Sequence, residues 1–147
     1  VDDLAIAPAT AADLDVLDEI EQHSFKVPWP RAAFEAELQR EWAHIDLARL
    51  AGQPRAFCNY WLVAGEVHIL AIATHPDFRN RGIARHLLEH ILSKGRDTKC
   101  TLATLEVRRS NVPAIALYER AGFRTVHVRA RYYQDDDEDA LVMLLDL

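Results

Sequence analysis

The 147-residue chain has the length of one compact domain, and with 50% hydrophobic residues it carries ample material for a core over 1–147. A net charge of −6 argues against nonspecific nucleic-acid binding, which draws on many Lys and Arg contacts to phosphate. The longest apolar run, Val67 to Ala73, falls far short of the roughly 20 residues of a membrane span. No leader pattern is visible near Val1, and Cys58 and Cys100 lack metal-type spacing, so a cytoplasmic protein with reduced, buried thiols is expected.

Thr10-Ala11-Ala12-Asp13 has the form of a capped helix start, and Leu14, Leu17 and Ile20 then recur at helical spacing to about Gln22. Val27-Pro28-Trp29-Pro30 interrupts this helix, and Phe34 and Leu38 mark a second short one from about Pro30. Three apolar segments follow, Ile45 to Leu50, Ala56 to Val63 and Val67 to Thr74, separated by turns at Gly52 and Gly65, and they predict an antiparallel meander. Ile83, Leu87, Leu88 and Ile91 predict an amphipathic helix ending near Gly95, before a strand from Thr101 to Val107. Strand, helix, strand in this order implies a parallel crossover. A further helix is expected from Pro113 to Ala121, capped by Asn111 and ended by Gly122, and two last strands, Phe123 to Tyr133 and Ala140 to Leu147, flank the acidic run Asp135-Asp136-Asp137-Glu138. The sum is a mixed α/β domain.

The chemistry is concentrated first in the loop Arg79-Asn80-Arg81-Gly82-Ile83-Ala84, followed by Arg85, between the third meander strand and the helix. A helix N-terminus offers unpaired N–H groups and partial positive charge, and small residues such as Gly82 and Ala84 let a phosphate approach the backbone. The spacing is neither Gly-x-Gly-x-x-Gly nor a Gly-Lys-Ser/Thr P-loop, which disfavours dinucleotides and nucleoside triphosphates. His86 and His90, four apart on the helix, have a spacing that can bind a metal, but no Cys or carboxylate pattern completes a site. They are read as exposed helix histidines, and no metal is expected.

The same loop matches Arg/Gln-x-x-Gly-x-Gly/Ala, and the chain resembles the GNAT acetyltransferases. The resemblance extends through Leu105-Glu106-Val107-Arg108, Ser110-Asn111, Ala114-Ile115-Ala116-Leu117-Tyr118-Glu119 and Gly122-Phe123, most of the chain from Val67 onward. It implies the GNAT fold, a central, mostly antiparallel mixed sheet flanked by helices, and acetyl-CoA as co-substrate. The pyrophosphate would sit on Arg79 to Arg85, and the backbone of Ile72, Ala73 and Thr74 would hold the acetyl and pantetheine portions. Asn111 has a cofactor role in the resembling enzymes, and helix capping explains it equally well. Ala84 stands where Gly is commoner, which the motif tolerates.

Acyl transfer to an amine needs a neutral nitrogen and a proton for the departing thiolate. By resemblance to the ribosomal-protein alanine acetyltransferases, Glu106 is the base and Tyr118 the acid. A salt bridge, for which Arg108 is the partner at hand, is the alternative for Glu106, and packing in the core is the alternative for Tyr118. Val27-Pro28-Trp29 before Phe34, and Arg131-Tyr132-Tyr133 before Asp139-Ala140 and Met143, favour the same branch, although Val27 replaces a common aromatic. Trp29, Tyr132 and Tyr133 thereby become candidates to contact an N-terminal peptide, with packing an equal alternative. The implied partner is the Ala-starting small-subunit ribosomal protein eighteen; a lysine or small-molecule amine, or a non-catalytic acyl-CoA-binding module, remains the other reading. The acidic run is expected to be a solvated loop, with attraction of a basic peptide as the sharper alternative.

Overall fold

The computed structural model describes residues 3–147. Its seven strands form one sheet in the order β1-β2-β3-β4-β5-β7-β6, where β1 is Leu4–Pro8, β2 Ala43–Leu50, β3 Gln53–Val63, β4 Glu66–Thr74, β5 Leu102–Arg108, β6 Arg124–Tyr133 and β7 Glu138–Asp146. Four helices flank it: α1 Leu14–Ser24, α2 Arg31–Glu37, α3 Ile83–Asp97 and α4 Val112–Arg120. Every neighbouring pair is antiparallel except β4 and β5, which the α3 crossover joins in parallel. This is the mixed α/β architecture expected from the sequence.

Two apolar layers lie on the two faces of the sheet. Leu14, Leu17 and Ile20 of α1 and Phe34 of α2 pack with Ile45, Leu47, Phe57 and Ala73. Ile83, Leu87, Leu88 and Ile91 of α3 and Tyr118 of α4 pack with Cys58, Tyr60, Val67, Ile69, Leu105 and Met143 on the other. Alternation along β3 divides the strand between them, Phe57 to one layer, Cys58 and Tyr60 to the other. Both cysteines are buried and free.

The helix starts follow their residue types. The Asp13 carboxylate accepts from the Thr10 N–H at 2.8 Å, and Asn111 Oδ1 accepts from the Ala114 N–H at 3.4 Å. Gly122, at φ +103°, ends α4 in the left-handed region as expected.

Two expectations need correction, and strand β1, whose residues are all apolar and show no alternation, was not expected. Gly95 does not cap α3, which continues to Asp97. A Cβ on Gly95 would lie 2.5 Å from Val67 Cγ2 and 3.3 Å from Leu147 Cδ1, so the glycine is there because α3 presses on the sheet. Gly95→Val should therefore destabilise the fold by about 2 kcal/mol or more, read as a lowered urea midpoint at unchanged slope; an unshifted midpoint would show that the helix can move away. His90 is not an exposed helix histidine either: its Nε2 lies 2.8 Å from the Asp46 carboxylate, which also accepts from the Tyr60 hydroxyl at 2.6 Å.

The parallel pair is where the sheet opens. Pairing runs only from Glu66–Leu102 to Ile69–Leu105, yet β4 continues to Thr74 and β5 to Arg108. Beyond Ile69, β4 stays with β3, and β5 stays with β7. A bulge coincides with the parting, for Asn59 pairs with Ala71 and Tyr60 with Ile69, leaving Leu70 as the extra residue. Bulges bend and twist the strand that carries them. The backbone edges of β4 from Leu70 and of β5 from Glu106 therefore face a gap instead of each other.

Candidate active site

Two clefts meet at this gap. One, of about 1030 Å³, is lined by Ile72, Ala73, Thr74, Arg79, Asn80, Gly82, Ile83, Ala84, Arg85, Asn111 and Tyr118. The other, of about 1120 Å³ on the α1 and α2 side, is lined by Trp29, Asn59, Ala71, Glu106, Tyr132 and Tyr133 among others. Ile72, Asn111, Ala114 and Tyr118 line both, so the two spaces join beside the Tyr118 ring.

The first cleft ends on the α3 N-terminus. Asn80 at φ +63° and Gly82 at φ +81° turn the chain into the helix. The first intrahelical bond runs from the His86 N–H to the Gly82 carbonyl, which leaves the N–H groups of Ile83, Ala84 and Arg85 for another acceptor. The arginines differ in their tasks. Arg79 donates to the carbonyls of Thr74, at 3.2 Å, and His23, at 3.1 Å, so its side chain ties the loop to β4 and α1. Arg81 lies over Phe78, 4.8 Å from the ring centroid, which a second guanidinium, from Arg55, approaches at 4.2 Å, and is not part of the cleft lining. Arg85 is exposed and pairs loosely with Glu89 at 3.2 Å, within reach of the cleft mouth.

In the second cleft Glu106 projects from β5 on the same face as Thr104 and Arg108, while Ala103, Leu105 and Val107 point into the core. Its carboxylate does not pair with Arg108. It faces the Arg129 guanidinium at 3.6 Å and accepts a hydrogen bond from the Tyr132 hydroxyl, which holds that phenol's pKa above its ordinary value. An irregularity in the β6–β7 pairing between Arg129 and Tyr133, with Arg131 at φ +52°, aims Tyr132 this way. Tyr133 packs edge-on to Tyr132, with its phenol pushed up to about 12, chiefly by burial. Tyr118 is buried, edge-on to Phe123 at 5.7 Å, and burial drives its phenol well above the ordinary tyrosine range.

Arg108 is instead the anchor of the acidic run. It pairs with Asp135 at 3.0 Å, Asp136 at 3.2 Å and Glu138 at 3.5 Å, and its guanidinium lies 3.9 Å from the Tyr133 ring centroid. Lys26, from the loop between α1 and α2, reaches across to Asp136 at 2.5 Å. Asp135 to Asp137 are exposed, as in the expected solvated loop, but the run is not unpaired: Arg108 and Lys26 make it a strap tied to both sides of the cleft.

Sequence reasoning missed the far wall. Trp29 was singled out, but its N–H is held by the buried Glu21 carboxylate at 2.9 Å, and its ring begins a row with Phe34 at 5.6 Å and then Phe57 at 5.7 Å. Burial raises the Glu21 pKa. Asn59, 2% exposed, sits at the base of this wall. Its only sequence signal is a carboxamide within the apolar run of β3.

A parallel strand pair thus parts beside the α3 N-terminus, with a carboxylate and a buried phenol lining the clefts that meet there. Residues 14–123 match the acetyltransferase (GNAT) family, and the chain belongs to that family. Among its relatives it is 33% identical over 144 residues to the [ribosomal protein bS18]-alanine N-acetyltransferase of Escherichia coli K12, covering 97% of each chain. It is 33% identical over 132 residues to the putative [ribosomal protein bS18]-alanine N-acetyltransferase of Bacillus subtilis, covering 89% of this chain and 87% of the other. The crystal structure of the Escherichia coli ribosomal-protein-S18-alanine N-acetyltransferase superposes with a TM-score of 0.90 at 34% identity, covering 97% of this chain and 93% of that one. Among the described residues no helix is long and apolar enough to cross a membrane, and no group of three or more His, Cys, Asp or Glu is placed to hold a metal ion.

Proposed function

We propose that the chain transfers the acetyl group of acetyl-CoA to a protein N-terminal α-amine, with the N-terminal alanine of ribosomal protein bS18 as its target. The observation that carries this reading is the junction of the two clefts at Ile72, Asn111 and Tyr118, where a donor from one side meets an acceptor from the other. The relatives' named activity supports the choice of amine.

Acetyl-CoA fits the first cleft through the free N–H groups of Ile83 to Arg85, the small Gly82 and Ala84, and the edge of Ile72 to Thr74 that β5 leaves unpaired, where Arg79 already meets the Thr74 carbonyl. When bound it supplies an acyl group already activated as a thioester. Asn80 and Gly82 shape the anion loop, Arg79 holds it, Arg81 braces it through Phe78, and Arg85 adds charge at the mouth. Asn111 caps α4 and so fixes Tyr118 over the junction. In the second cleft Glu106 takes the proton of the incoming amine, with Arg129 and Tyr132 orienting its carboxylate. Trp29, Tyr132 and Tyr133 flank the peptide. An α-amine has a reference pKa of roughly 7.7 to 8.0 against about 10.4 for Lys, so at neutral pH its deprotonation costs far less. Thiol release with acetyl-CoA and an Ala-starting peptide tests the reading. Turnover confined to a Lys peptide with a blocked N-terminus would overturn it, and turnover on neither would point to an acyl-CoA-binding module.

The strap makes peptide charge matter. Lys26→Met would remove one of the two cations paired with Asp136 and should lower KM for a basic N-terminal peptide roughly two- to fivefold at low salt. The gain should vanish at about 0.5 M salt, where charges are screened within a few ångströms. An unchanged KM at both salts would leave the acidic run a purely structural strap.

A further inference from the structure

Asn59 Oδ1 is fully buried and has no hydrogen-bond partner, the only such buried side-chain oxygen or nitrogen among the described residues. An orphaned buried amide oxygen is costly, and native folds keep few of them. The residue that carries it lines the acceptor cleft, in the company of Phe34, Phe57 and Ala71. Its strand partner Ala71 directly precedes Ile72, a residue of the junction, which puts the carboxamide at the level where the acetyl group changes hands.

Geometry limits which part of the acceptor can reach it. Strand β3 lies two strands from β5, about 10 Å at ordinary sheet spacing, and more where the sheet parts. An amine held at Glu106 and Tyr118 therefore leaves its own first side chain as the group that extends towards β3. The aromatic edges of Phe34 and Phe57 bound that space, and the short side chain of Ala71 gives it depth. Resting on the N-terminal reading above, we propose that Asn59 is a specificity-determining residue whose carboxamide hydrogen-bonds a hydroxyl on the acceptor's first residue. The site then takes Ser- and Thr-starting chains as well as Ala, and rejects apolar side chains of the same shape. A hydroxyl both donates and accepts, so it satisfies either end of the carboxamide. An Ala side chain brings no further apolar group against the carboxamide, whereas Val presses a methyl on it where Thr has its hydroxyl.

The test uses Thr- and Val-starting peptides of otherwise identical sequence, since the two side chains are nearly isosteric. The expected kcat/KM ratio is roughly tenfold in favour of Thr, about 1.4 kcal/mol. Asn59→Leu, similar in volume and without polar atoms, should bring the ratio to one or invert it, with thermal stabilisation by CoA confirming a folded cofactor site. Asn59→Ala gives a second reading of the same ratio if the Leu variant does not fold. Equal rates with Thr and Val in the unsubstituted enzyme would overturn the hydroxyl assignment and leave N-terminal acetylation standing, as would a Thr preference that survives Asn59→Leu. Turnover of neither these nor an Ala-starting peptide would overturn both.

Discussion

Glu106→Gln is expected to lower kcat/KM for an N-terminal peptide by roughly 100-fold or more at neutral pH, with affinity for CoA nearly unchanged. Glutamine keeps the volume and can still meet Tyr132 and Arg129, so the cleft keeps its shape while losing the carboxylate. A positioning role would respond differently to pH. With an amine pKa near 8, about a tenth of the acceptor is already neutral at pH 7 and most of it at pH 9. If Glu106 is the base, the deficit of the Gln variant shrinks to severalfold at about pH 9, because the amine arrives deprotonated. A deficit equal at both values would make Glu106 a residue that orients the amine, and full activity at pH 7 would remove it from the chemistry. Separation from CoA supports the expected affinity: Glu106 lines the acceptor cleft alone.

How much of this site could be read from the sequence depends on how local each feature is. The anion loop is legible because Arg79, Gly82 and Ala84 are contiguous and the helix that follows announces itself by periodicity. Glu106 and Tyr118 are legible only because their flanking residues resemble a known family. Composition and spacing do not say that residues 12 apart converge on one gap. Gly95 was misread because a glycine near a helix end has the same local signature whether it caps the helix or makes room for Val67, and only the packing decides. The alternative that paired Arg108 with Glu106 fails for a related reason. Glu106 is its neighbour on one strand face, but the β6–β7 turn brings Asp135, Asp136 and Glu138 closer. Asn59 and Glu21 were invisible because their significance lies in long-range burial, an orphaned oxygen in one and a backbone N–H eight residues away in the other.

Tyr118→Phe should slow the chemical step, measured in single turnover, by roughly 100-fold, while leaving the fold nearly intact. The phenol makes no hydrogen bond among the described residues, so its removal leaves no protein group unpaired. Its environment also defines the kind of acid it can be. Burial holds the Tyr118 pKa well above the ordinary value, whereas a thiol titrates near 8.5. Complete transfer of the phenolic proton to a departing thiolate would therefore run uphill, and the favourable contribution would be a hydrogen bond donated to the charge growing on sulfur. Two profiles separate these. A donor whose pKa is raised stays protonated, so activity should hold without an alkaline fall attributable to Tyr118 up to about pH 10. A fall near pH 10 that disappears in Tyr118→Phe would mean instead a phenol of ordinary acidity that gives up its proton in the reaction. An unchanged single-turnover rate would reduce Tyr118 to the ring that closes the wall between the two clefts.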